Sequence, residues 1–192
     1  MDTILTSALV VALAEIGDKT MLLAIVLAAR FRKPLPIVLG ILVATLANHG
    51  IAAFLGQSIA GLLDGQWFRF AVGISFVAMA LWTLVPDKLD EDEQPKAPRF
   101  GAFVATTIAF FIVEIGDKTQ IATIALGAQF QSVLLVTIGT TVGMMLANVP
   151  AVYFGHALIA CVRLSVVRMI AALLFLAIGL WVIAETAGLI GQ

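Results

Sequence analysis

Six consecutive residues occur twice in this 192-residue chain. Glu15-Ile16-Gly17-Asp18-Lys19-Thr20 returns, 99 positions later, as Glu114-Ile115-Gly116-Asp117-Lys118-Thr119. Each copy offers two carboxylates, an ammonium and a hydroxyl. Carboxylate oxygens suit hard divalent cations such as Mg²⁺, Ca²⁺ or Mn²⁺. The same groups also take up protons or pair with lysines. Glu and Asp three apart are expected on neighbouring positions of one helix face. Gly17 removes side-chain bulk between them and lets another backbone approach. Lys19 and Lys118 stand four residues after a Glu, a spacing that allows pairing within one helix. Thr20 and Thr119 add hydroxyl oxygens one turn on.

Residues around the block extend the candidate donor set. Met21 stands opposite Gln120 in the 99-residue register, a soft thioether against a hard amide oxygen. A soft donor among oxygens would favour Mn²⁺, whereas a methionine that merely packs would favour nothing. Asn48 and Asn148 either lend amide oxygens to an ion or hydrogen-bond helix to helix. They align only at a shift of 100, and in strict register His49 opposes Asn148 while His156 opposes Gln57. Both histidines read as core or interfacial residues. Cys161 is the only cysteine and its counterpart is Leu62, so thiolate ligation and disulfides drop out and zinc is disfavoured.

The elements that hold these residues are apolar. The chain is 61% hydrophobic and 12% charged, against about 45–50% and about 25% in soluble domains. Mean hydropathy is +1.09. A soluble domain, a disordered chain and a secreted disulfide module are thereby excluded. The net charge of −1 leaves no nucleic-acid footprint. Six segments are long enough to span a bilayer at about 20 residues each: 3–28, 35–62, 68–85, 101–127, 132–160 and 166–188. Their continuous apolar runs predict helices rather than barrel strands. The first lacks the basic start and cleavage pattern of a signal peptide. Arg30, Arg32, Lys33, Lys88, Lys96, Arg99, Arg163 and Arg168 fall on one side of this topology, and Arg69 alone on the other. That bias assigns the first loop, the acidic 87–99 linker with its Asp90–Glu93 run, and the last loop to the cytoplasm, with both termini outside.

The fold class expected is therefore an all-α membrane protein of six transmembrane helices, built as two three-helix repeats, 1–86 and 100–192. Three is odd, so the repeats enter the membrane from opposite sides. Inverted repeats of this kind carry sites near the midplane and can expose them alternately to each side. Glu15 and Glu114 lie roughly 18–20 Å along their segments at 1.5 Å per residue, near mid-bilayer. Charges there mark ion paths, proton relays or counter-ions. Four carboxylates brought together cannot all stay bare in a low dielectric. They bind a cation, bind protons, or are partly neutralised by the lysines.

Two copies of E-x-G-D-K-T, one in each three-helix half, resemble the signature of the Gdt family of cation/proton exchangers, within the lysine-exporter superfamily. That family includes Golgi and chloroplast manganese and calcium transporters and bacterial manganese exporters of the Mne type. The resemblance spans nearly the whole chain. It implies a secondary transporter exporting Mn²⁺ from a bacterial cytoplasm across the inner membrane in exchange for protons. It further implies that Glu15, Asp18, Glu114 and Asp117 bind the ion, with Lys19, Thr20, Lys118 and Thr119 completing the motifs. Calcium/proton exchange is the near rival and a divalent-cation channel a more distant one. An enzyme is not expected, since no nucleophile–base pair or phosphate loop accompanies the acids. No cofactor is called for; the partners expected are a divalent ion and the lipid bilayer.

Overall fold

The computed structural model describes residues 2–63, 65–86, 101–155 and 163–189. Among these residues it is entirely helical, with no strand. The helices are α1 (Thr3–Glu15), α2 (Lys19–Phe31), α3 (Pro34–Leu62), α4 (Gln66–Thr83), α5 (Ala102–Glu114), α6 (Lys118–Phe130), α7 (Val133–Phe154) and α8 (Leu164–Thr186). The acidic linker, Cys161 and His156 lie outside the described residues.

Two expected segments differ from the sequence reading. Segments 3–28 and 101–127 are not continuous helices; each is a pair of 13-residue helices interrupted within the repeated hexapeptide. The cause is backbone geometry. Gly17 has φ +86° and Gly116 φ +78°, whereas an α-helix needs φ near −63°. Only glycine occupies that left-handed region without a Cβ penalty. The flanking residues are extended: Ile16 at φ −65°, ψ 110° and Asp18 at φ −81°, ψ 168°. Ile115 and Asp117 repeat these values within about 10°. The glycines thus serve to break the helix between Glu and Asp, and the two acids do not share one helix face.

Other boundaries follow local rules. Asp2 caps α1, its carboxylate accepting from the Ile4 and Leu5 amides at 3.0 and 3.2 Å. Helices α2 and α6 end at left-handed Arg32 and Gln131, whose amides reach back to Ala28 and Gly127 at 3.0 Å. Pro34 opens α3, where its missing amide hydrogen costs nothing. Helix α7 continues through Pro150.

Packing links the two halves of the chain. α1 lies on α7, α3 on α5, α6 and α7, and α4 on α8. Pairs 99 residues apart meet equivalent partners. A Cβ at Gly40 would lie 2.8 Å from the Phe103 carbonyl oxygen and 2.8 Å from Thr106 Cβ. One at Gly139 would lie 2.6 Å from the Ile4 carbonyl oxygen and 2.8 Å from Ser7 Cβ. Phe76 and Phe175 pack against each other with ring centroids 6.3 Å apart. Small residues let backbones approach in this way where lipid supplies no hydrophobic drive.

Among the described residues three helices, α3, α7 and α8, are individually long and apolar enough to cross a membrane; α1 and α5 are shorter apolar helices. Large apolar side chains face outward, among them Leu35, Phe54, Leu146 and Leu173. The interior, otherwise largely apolar, also holds Glu15, Asp18, His49, Glu114, Asp117, Lys118 and Asn148. Apolar side chains outside and buried ionisable groups within fit a protein whose solvent is lipid.

Candidate metal centre

The helix breaks decide where the acids go. Glu15 and Glu114 are the last residues of α1 and α5. Asp18 and Asp117 are the N-cap residues of α2 and α6, yet neither carboxylate is spent on a capping hydrogen bond. A helix C-terminus carries partial negative charge and an N-terminus partial positive charge. The glutamates therefore sit where a cation is favoured, and the aspartates where an anion is.

One carboxylate oxygen each from Glu15, Glu114 and Asp117 falls within a 4.8 Å cluster, and all three residues are buried. Oxygens this close suit a hard divalent ion. Asp18 is also buried and is paired across the repeat boundary, its Oδ1 lying 2.9 Å from Lys118 Nζ. Lys19 Nζ lies 3.8 Å from Asp117 Oδ1. These pairs are crossed between the two halves, whereas a continuous helix would allow the local pairings Glu15–Lys19 and Glu114–Lys118. The reason is again the break, which removes the i,i+4 relation between the two groups.

Each glutamate has one oxygen anchored and one bare. Thr20 donates to Glu15 Oε2, which also accepts from Asn148 Nδ2 at 3.1 Å. Thr119 donates to Glu114 Oε1, which faces His49 Nε2 at 3.5 Å. The other oxygens, Glu15 Oε1 and Glu114 Oε2, are buried without a hydrogen-bond partner among the described residues. Two such acceptors in a dry interior are costly, and a proton or a cation would satisfy them.

The remaining candidates divide. Asn148 reaches the site, and its Nδ2 also contacts the Met144 carbonyl oxygen at 3.1 Å. Asn48 instead donates to the Phe111 carbonyl oxygen at 3.0 Å, a bond between α3 and α5. Met21 is buried in an apolar cluster with Leu23, Ile41 and Phe110. Gln120 Oε1 accepts from the Gly116 amide at 2.8 Å, which ties it to the helix break. His49, read from sequence as a core residue, is fully buried against Glu114. The signal for it was present: residue 49 opposes residue 148 in the 99-residue register, and both reach a glutamate of the other half.

Comparison with known proteins agrees with this chemistry. The family described as "Divalent cation/proton antiporter GDT1" matches residues 3–91 and 102–189. A protein of Vibrio cholerae serotype O1 named "Putative manganese exporter" is 50% identical over 181 residues, covering 94% of this chain and 90% of its own length. "GDT1-like protein 5" of Arabidopsis thaliana is 30% identical over 206 residues, covering 88% of this chain and 89% of its own length. "GDT1-like protein 3" of the same plant is 28% identical over 202 residues, 91% of this chain and 68% of its own. No solved structure matches. The chain belongs to the GDT1 family of divalent cation/proton antiporters.

Proposed function

We propose that the chain exports Mn²⁺ from the cytoplasm in exchange for protons, through a site formed by Glu15, Asp18, Glu114 and Asp117. The observation that carries this reading is the convergence of Glu15, Glu114 and Asp117 oxygens within 4.8 Å in a buried setting. The V. cholerae relative's name supports manganese, and the family description supports proton coupling.

In this reading α1 with α2, and α5 with α6, each make one discontinuous span. Together with α3, α4, α7 and α8 they give six crossings in two inverted repeats, 1–86 and 100–192. The 87–99 linker is cytoplasmic, both termini face outward, and the membrane is the bacterial inner membrane. The matched contacts of Gly40 with Gly139 and the pairing of Phe76 with Phe175 support a two-fold relation between the halves. Interrupted helices with their ends at the site are a recurrent transporter device.

The residues also suggest how exchange proceeds. Four carboxylates and two ammoniums carry a formal charge of −2 when all are ionised. One divalent ion or two protons brings that to zero, so either cargo lets the site cross a low-dielectric barrier. Cytoplasmic Mn²⁺ displaces protons from the carboxylates. The loaded site turns outward, where protons displace the metal and the protonated site returns. Lys118 holds Asp18 tightly while Lys19 stands farther from Asp117. Exchange of these two roles accompanies the turn, because the halves are related.

A calcium/proton exchanger is the second reading. It is favoured by Met21, the soft donor the sequence offered, whose thioether packs in an apolar cluster with Leu23, Ile41 and Phe110. Proteoliposomes with a trapped pH indicator test both readings. Mn²⁺ added to one side should drive protons out of the opposite compartment, and Glu15→Gln and Glu114→Gln should abolish this. Unchanged coupled transport in those variants overturns the proposal. Competition between Mn²⁺ and Ca²⁺ in the same vesicles decides between the ions.

A further inference from the structure

We propose that His49 and Asn148 are a crossed pair of positioning residues, each holding the glutamate of the opposite repeat so that its second oxygen faces the cargo. The inference rests on the proposed Mn²⁺ site and extends it to residues outside the repeated hexapeptide.

The geometry is the same twice. His49, on α3 of the first half, reaches Glu114 at the end of α5 in the second. Asn148, on α7 of the second half, reaches Glu15 at the end of α1 in the first. Both residues are fully buried. Each meets the carboxylate oxygen that the local threonine also binds, Glu114 Oε1 with Thr119 and Glu15 Oε2 with Thr20. One oxygen of each glutamate is thus fixed from two sides, once from its own repeat and once from the other. The oxygens left over, Glu114 Oε2 and Glu15 Oε1, have no partner among the described residues. A carboxylate held by one oxygen has its remaining lone pairs aimed in one direction. That is how outer hydrogen bonds orient a metal ligand.

The chemistry also fixes which atoms act. An ionised carboxylate only accepts, so His49 must carry its hydrogen on Nε2, and Asn148 must present its amide N–H. His49 Nδ1 and Asn148 Oδ1 are then acceptors, and both are buried without a partner among the described residues. The His49 contact is the longer of the two, 3.5 against 3.1 Å. An imidazole on one glutamate and an amide on the other make the two halves of the site inequivalent, although the hexapeptides are identical.

The test uses purified full-length protein in proteoliposomes, with Mn²⁺ as the probe, and reads the half-saturating Mn²⁺ concentration separately from the maximal rate. Mn²⁺ binding to the detergent-solubilised protein is measured alongside by calorimetry. His49→Leu keeps the bulk and removes the donor. It should raise the half-saturating concentration and the dissociation constant about 10- to 100-fold, the usual effect of losing an outer partner of a metal ligand. His49→Asn copies the donor of the other half and should return both to within about threefold of wild type. Should His49→Leu fail to give monodisperse protein, Asn148→Leu against Asn148→His makes the same comparison on Glu15. Equal affinity in wild type and the leucine variants overturns the inference, and so does a His49→Asn variant as impaired as His49→Leu. Wild-type protein that neither binds nor transports Mn²⁺ would instead overturn the function on which the inference rests.

Discussion

Lys118→Met is the sharpest perturbation of the crossed ion pairs. Lys118 and Asp18 are almost wholly buried, with side-chain exposures of 4% and 0%, and stand 2.9 Å apart. Removing one partner of a buried pair leaves an uncompensated charge and costs about 3–5 kcal/mol. At about 2–4 °C per kcal/mol for a chain of this size, the melting temperature should fall by about 6–20 °C. Lys19→Met is the control. Its pair is longer at 3.8 Å and Lys19 is 18% exposed, so water offsets more of the loss, and the drop should be less than half as large. Adding Asp18→Asn to Lys118→Met removes the stranded charge and should recover more than half of the lost stability, since a neutral replacement of a buried pair is often tolerated. The same logic gives a metal-dependent signature. Lys118→Met makes the site one charge more negative, so Mn²⁺ should stabilise this variant more than wild type. A ligand at 100 times its dissociation constant contributes about 2.7 kcal/mol. The assay is thermal unfolding in detergent, with and without Mn²⁺. The reasoning fails if Lys118→Met melts within 2 °C of wild type (roughly the smallest shift expected of 1 kcal/mol), if Lys19→Met is equally damaging, or if Asp18→Asn rescues nothing.

Four further expectations follow, three from glycine positions and one from proton competition. Gly116→Ala places a side chain at φ +78° with no neighbour within 4 Å, so it should cost only the left-handed penalty of about 1–2 kcal/mol. Gly17→Ala should cost more, because its Cβ would lie 2.9 Å from Leu164 Cδ2; Leu164→Ala should remove that excess in a double-mutant melting cycle. Gly56→Ala would set a Cβ 2.0 Å from the Ile124 carbonyl oxygen. Helix α3 must then part from α6, with a loss of about 3 kcal/mol or more in detergent unfolding. Metal ligation requires deprotonated carboxylates, so protons compete with Mn²⁺ and the half-saturating concentration should rise as the pH of the loading side falls. The limiting slope, measured in vesicle uptake over a pH series, is about tenfold per pH unit for one displaced proton and about a hundredfold for two.

Much of this arrangement was legible in the residues. A six-residue charged block repeated at 99 residues inside apolar sequence pointed to a buried carboxylate cluster, and three of its four acids lie within 4.8 Å. The helix break was not read. A hydropathy pattern sums side chains and is blind to φ, so it passes smoothly over Gly17 and Gly116 and reports 26 or 27 continuous residues where the backbone makes two helices of 13. The available signal was Gly followed by Asp, a helix stop followed by an N-cap residue. The i,i+4 pairing that the spacing allowed for the lysines presumes an unbroken helix, and the ion pairs formed instead link Lys118 to Asp18 and Lys19 to Asp117. His49 was passed over because a lone histidine on an apolar helix is ordinarily a core residue. Asn48 was considered instead because its residue type matched Asn148. Register proved the better guide than residue type: position 49, rather than 48, meets a glutamate.

The break explains why the acids are divided as they are. A continuous helix would have placed Glu15 and Asp18 one turn apart, with like charges in mutual repulsion and the backbone dipoles spent along the helix axis. Interruption between them puts Glu15 at a C-terminus and Asp18 at an N-terminus, and Glu114 and Asp117 likewise. The N-terminal dipoles of α2 and α6 point at the aspartates. The C-terminal dipole of α1 and α5 adds to the attraction for a cation beside the glutamates. Two glycines at positive φ thereby change what the same carboxylates can do. They turn what would be a repelling pair on one helix face into a glutamate at a helix C-terminus and a lysine-paired aspartate at a helix N-terminus, and they do so once in each half of the chain.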